Sequence, residues 1–178
     1  MTMTLVSTVT VGAGGAASID FTSIPQTGTD LLVVLSTKTT EAAATDGLHA
    51  RFNNDSTGTN YSVRRLIGSG SAASSTSQTA GYANIGNSNG NSAYTGSTFA
   101  NTALYIANYT SSSNKSLSAD SVTENNATSA KQQLTAGLYL SSSGITSIKF
   151  ITDFGTFDQY STASLYTIQV GSGGATVS

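Results

Sequence analysis

Polar and apolar side chains alternate with a period of two along most of this chain, the spacing of a strand with one buried face. Residues 5–11 mix Val and Thr and end in the alternation Val9-Thr10-Val11, just before the turn Gly12-Ala13-Gly14-Gly15. Residues 17–21 set Ile19 and Phe21 against Ser18 and Asp20. Leu48, Ala50 and Phe52 alternate with His49 and Arg51, and Tyr61, Val63, Arg65 and Ile67 repeat the pattern. The run LLVVL over 31–35 is continuous and too short for a helix. It predicts a strand covered on both faces. The single proline, Pro25 after Ile24, predicts a turn ahead of that strand, because its ring fixes φ and removes a donor.

Between residues 68 and 97 the alternation dissolves into Ser, Gly, Asn and Thr, broken by Tyr82, Ile85 and Tyr94. A stretch of that length without periodicity predicts a long surface excursion, ordered mainly by a partner. Alternation resumes over 99–109, with Leu104 and Ile106 on one face and Phe99, Ala103, Tyr105 and Tyr109 on the other. Of these, Tyr105 and Tyr109 read as core. Further strands are predicted over 117–122, 134–140, 145–151 and 160–170, and the closing GSGGATVS over 171–178 reads as a flexible tail. Only residues 123–133 have any helical character, and they lack an apolar stripe. Nine or ten short strands joined by Gly, Ser and Asn turns predict one all-β domain over residues 1–170, an antiparallel sandwich of jelly-roll type. No fixed-period repeat argues for a propeller or a solenoid.

Composition sharpens this picture. Of 178 residues only 9% are charged, against about 25% in a typical globular protein, while Ser, Thr, Asn and Gly make up about half the chain. The net charge of -2 is too small, and the apolar runs too many, for a disordered chain. Arg64-Arg65 is the only adjacent basic pair, so a nucleic-acid partner is not expected. No run approaches the roughly 18 apolar residues of a membrane-spanning helix, and the start MTMTLVSTVTV lacks the basic and apolar regions of a secretory signal. Without cysteine there is neither disulfide nor thiol chemistry. A freely soluble monomer usually keeps an ionic surface. A coat of hydroxyls and amides suits a protein packed into an assembly or facing the outside world.

Candidate chemistry is sparse. His49 is the only histidine and shares a strand face with Arg51, where a solvent-facing residue or a subunit contact is expected rather than a general base. No G-x-S-x-G turn surrounds any serine, and the nine carboxylates are scattered along the chain. Asn53-Asn54-Asp55, followed by Thr57, Gly58 and Asn60, has the oxygen ligands of a calcium loop, but it lacks the EF-hand order and reads as an Asx-rich turn. Five Asn-x-Ser/Thr sequons, at Asn54, Asn60, Asn108, Asn114 and Asn126, arise by chance at this Ser/Thr density. The chain is therefore not expected to be an enzyme, with no catalytic residues, no cofactor and no metal. Tyr82, Ile85 and Tyr94, standing in the polar excursion, are the candidates for contact with a partner.

Certain segments carry a resemblance. They are IDFTSIPQT (19–27) leading to DLLVVLS (30–36), LHARFNND (48–55) with Asn60-Tyr61, and the closing YSTASLYTI (160–168). This succession, over roughly residues 17–67 and 99–168, resembles small structural proteins of tailed bacteriophages, particularly those of marine and cyanobacterial hosts. The resemblance implies one jelly-roll-like domain serving as a capsid decoration (cement) protein, located in the virion after assembly in the host cytoplasm. It implies the major capsid protein as partner and a homotrimer as the assembled form. The alternative it leaves open is a tail or fibre receptor-binding module recognising host surface glycans. A β-pattern that starts near Met1 and ends near Val170, with no shaft or attachment domain beside it, favours decoration.

Overall fold

The computed structural model describes residues 2–91, 97–124, 126 and 130–169. Every regular element among them is a strand: β1 (Thr2–Thr10), β2 (Ile19–Phe21), β3 (Asp30–Thr37), β4 (Thr45–Phe52), β5 (Tyr61–Gly68) and β6 (Ala73–Ala80). They are followed by β7 (Ala83–Asn89), β8 (Ala100–Ile106), β9 (Lys115–Val122), β10 (Gln132–Tyr139), β11 (Ile148–Thr152) and β12 (Thr162–Gln169). An eight-stranded sheet has the order β1-β12-β3-β8-β9-β10-β5-β6 and packs against a four-stranded sheet β2-β11-β4-β7, with every ladder antiparallel.

Setting aside β5, β6, β9 and β10 leaves two four-stranded halves, β1-β12-β3-β8 and β2-β11-β4-β7. Each successive strand of that set, apart from β4 to β7, crosses to the other half, which is the wrapping of a jelly roll. The two remaining hairpins are insertions, β5-β6 after β4 and β9-β10 after β8. A lone two-stranded hairpin is marginal in water. Here the two join through β10 and β5, from Gln132↔Gly68 to Tyr139↔Tyr61, and extend the large sheet beyond β8.

Alternation sorts the side chains as the sequence predicts. Leu31, Val33 and Leu35 of β3, Leu104 and Ile106 of β8 and Leu165 of β12 face Leu48, Phe52 and Phe150 of the small sheet, all at most 1% exposed. At one end of the core the rings of Phe52, Tyr61 and Tyr139 gather at centroid distances of 4.8–5.8 Å. The Tyr61 hydroxyl accepts the Phe52 N–H (2.9 Å) and donates to Asp55 O (3.1 Å), so the ring is buried without an orphaned polar tip.

Three expectations are corrected. Residues 68–97 are not one irregular excursion: they carry β6, largely exposed, and β7, almost wholly buried. β7 is polar (ANIGNSN) yet interior because the extension of the large sheet folds over it and meets its amides. Gln133 on β10 donates to Asn84 Oδ1 (2.9 Å) and accepts from Asn87 Nδ2 (3.3 Å), and Ser121 on β9 accepts the Asn87 N–H (3.2 Å). Second, LLVVL is covered on one face only, since Leu32, Val34 and Ser36 lie on the open outer side of the large sheet with Val34 exposed. Third, Tyr105 lies on that same open side and is not core; its hydroxyl donates to Asp30 Oδ2 (2.6 Å), while Tyr109 is fully buried. The described part of 123–133 is the connection from β9 to β10, with Gln132 and Gln133 already paired in β10, and it contains no helix, in keeping with its missing apolar stripe.

Candidate functional site

Four connections meet at one end of the sandwich: residues 11–18, 38–44, the described residues 90–91 and 97–99 between β7 and β8, and 153–161. Backbone bonds tie them to one another. Ala16 and Phe157 exchange N–H···O bonds (2.9 and 2.8 Å), Thr40 N–H reaches Thr156 O (3.0 Å), and Asn91 N–H reaches Glu41 O (2.6 Å). Val11 and Ser161 close the set (2.8 Å).

Side chains from β4 pin the 153–161 loop. The Asp46 carboxylate, 2% exposed, accepts the backbone N–H groups of Asp153 (3.2 Å), Phe154 (3.3 Å) and Gly155 (2.9 Å). Three converging amides satisfy a buried charge that would otherwise be costly. One residue further along the strand, Gly47 leaves room for the Asp153 carboxylate, whose Oδ2 lies 2.1 Å from where a Cβ would stand. Asp153 in turn accepts from His49 Nε2 at 2.7 Å. Burial lowers the His49 pKa from its ordinary value, and the Asp153 carboxylate opposes that shift without reversing it. His49 is thus neutral and 2% exposed, with the Tyr82 ring over it at a centroid distance of 4.1 Å. It is neither the solvent-facing residue nor the subunit contact expected of it. With Nε2 taken by Asp153 and the ring covered, it is closed to a substrate.

A second polar cluster lies on the same end. Lys38 Nζ donates to Asp158 Oδ2 (2.8 Å) and to Asn91 Oδ1 (3.1 Å), and the Lys38 bond holds the Asp158 carboxyl below the usual carboxylate range. The 153–161 connection also carries two large exposed rings. Phe154 is 83% exposed and Tyr160 67% exposed. Tyr160 has φ 72°, the left-handed region that a bulky residue adopts only when its surroundings impose it. The arrangement presents two aromatic anchors on backbone that is already fixed.

The candidates from the sequence fall differently. Tyr82 is half-buried, and its ring packs on His49, with its hydroxyl accepting from Gln78 Nε2 (3.4 Å). Ile85 is fully buried in the core from β7 and offers a partner nothing, which corrects its assignment as a contact. Tyr94 lies outside the described residues. Nothing in the sequence marks Phe154, which sits in a connection without periodicity, and Tyr160 reads there as the first residue of a strand over 160–170, whereas it lies in the connection ahead of β12. Asn53-Asn54-Asp55 is the Asx turn expected: Asp55 accepts the Thr57 N–H and the Asn60 amide at 2.8 Å each, and Asn53 and Asn54 take φ 52° and 55°. Among the described residues no group of three or more His, Cys, Asp or Glu side chains is gathered as a metal would need. No family model, curated protein or solved structure matches this chain.

Proposed function

We propose that this chain is a virion structural protein, a capsid decoration (cement) protein that binds the outer surface of a phage capsid and stabilises it through non-covalent contacts. The observation that carries this reading is Phe154, 83% exposed on a loop whose amides are held by the buried Asp46 carboxylate. An aromatic anchor on pre-ordered backbone binds with little further loss of chain entropy. A surface nearly free of charge makes contacts through shape, hydroxyls and amides, and many weak contacts on a shell add up by multivalency. The major capsid protein is the partner and a homotrimer the working form in this reading.

The second reading, a tail or fibre module recognising host glycans, draws on the same rings, because exposed Phe154 and Tyr160 can stack on sugar faces. Sedimentation separates the two. The protein is mixed with capsid shells stripped of it and, separately, with host cells. Saturable binding to shells, with raised resistance of the shells to heat, supports decoration. Binding to cells alone, competed by host polysaccharide, moves the assignment to the tail.

A further inference from the structure

Lys38, Asn91 and Asp158 bring an amine, a carboxamide and a carboxylate together from three different connections. An ion pair needs only two of these, so the third group is the informative one. Each is placed by backbone contacts rather than by its own side-chain reach. Lys38 is 7% exposed, its N–H donates to Ser161 Oγ (3.1 Å), and its carbonyl accepts the Asp158 N–H (2.8 Å) and the Ser161 hydroxyl (3.0 Å). Asp158 is held through its other oxygen, which accepts the Gln159 N–H at 2.8 Å. Asn91 is anchored by its N–H to Glu41 O (2.6 Å), and Gly90 N–H donates to Ala44 O (3.0 Å). A Cβ at Gly90 would fall 1.9 Å from Ala43 O, so a bare backbone is what lets the chain come close enough to deliver Asn91.

We propose that these three residues join the Lys38 and Asn91 side chains in an intramolecular isopeptide bond. Lys38 Nζ passes a proton to Asp158 and, as the neutral amine, attacks Asn91 Cγ. The Nζ–Cγ bond forms, giving a tetrahedral centre whose oxygen is the former Oδ1. Asp158 takes the second amine proton and supplies a proton to Nδ2, the Cγ–Nδ2 bond breaks, and ammonia leaves. The products are a secondary amide and ammonium; no oxidant, reductant or co-reactant is consumed. Holding nucleophile, electrophile and proton carrier in contact is the positioning that makes such an amide exchange accessible without an external catalyst. At rest the Lys38 bond keeps Asp158 as a carboxylate, so the form that carries the transferred proton is the minor one and the bond forms slowly after folding.

The bond would staple the end of β3 in the large sheet to the end of β7 in the small one. It closes the chain between residues 38 and 91, the constraint on the unfolded state that a disulfide gives elsewhere. In a chain without cysteine it would also be indifferent to reductant. This inference stands on the Lys38 cluster alone and does not depend on the partner proposed above.

Intact-mass spectrometry of the purified full chain, folded and incubated, tests it. The expected mass is lower than the sequence mass by one ammonia, and proteolysis yields a branched peptide joining Lys38 to Asn91. Lys38→Arg and Asp158→Asn keep the full mass. A wild-type chain that keeps its full mass overturns the proposal whatever the variants do. So does a loss that persists in Lys38→Arg, which would mark asparagine cyclisation, as at Asn89-Gly90, instead of a cross-link.

Discussion

His49 sits on the same strand face as Arg51, where a local reading places it in water; Asp153, 104 residues later, and Tyr82 cover it instead. Its protonation has a clear sign. Burial lowers the folded pKa, so the unfolded chain, with a value of about 6.5, takes up the proton first. The stability held by neutral His49 is therefore complete above about pH 6.5 and declines as the pH falls below it. Thermal midpoints recorded from pH 7.5 down to 5 should fall, and the slope over that window should flatten in His49→Gln, because the chain has no second histidine. The carboxylates held down by hydrogen bonds, Asp55 and Asp158, lose their contribution only at lower pH, as it falls through their folded values. Gly47→Ala tests the same cluster sterically. A Cβ 2.1 Å from Asp153 Oδ2 must push the carboxylate off His49, and a cost of about 2 kcal/mol is expected in urea denaturation.

β7 is where the pattern in the sequence and the burial in the fold part company. Its residues read as loop because Asn84, Asn87, Ser88 and Asn89 are polar, yet Gln133 and Ser121 from the inserted hairpin give Asn84 and Asn87 their partners. Gly86 admits this covering, since a Cβ there would stand 2.2 Å from Ser121 Oγ. Ile85→Ala should cost about 3 kcal/mol in equilibrium unfolding, the behaviour of a filled core site and not of a surface contact. Asn84→Ala should cost about 1–2 kcal/mol by taking one of the two acceptors from the buried Gln133 amide, which keeps only its bond to Thr135 Oγ1. β3 gives the opposite lesson. Its apolar run predicts two covered faces, but the small sheet reaches only Leu31, Val33 and Leu35. Val34→Thr should therefore change stability by no more than about 0.5 kcal/mol in the isolated chain.

At the scale of the whole molecule, the four-loop end is held rigid by bonds between segments far apart in sequence, and the rings of Phe154 and Tyr160 are carried on it. Phe154→Ala should leave the thermal midpoint unchanged, because the side chain touches little of its own fold, while reducing sedimentation with stripped shells at least tenfold. A variant that still binds as the wild type does would remove the ring from the interface. The sequence by itself determined the class of the fold. Period-two alternation at β4, β5, β8 and β12 states which side chains turn inward, since that period is a property of the extended backbone. It also determined the charge-poor composition, the turn chemistry at Asn53-Asn54-Asp55 and the place of Pro25 in the connection ahead of β3. Only the tertiary structure decided that β7 is interior, that His49 is buried on Asp153, that Phe154 stands free, and that Lys38 meets Asn91 and Asp158. Each of these depends on contacts between residues tens to more than a hundred positions apart, and local periodicity carries no term for what a distant strand will cover.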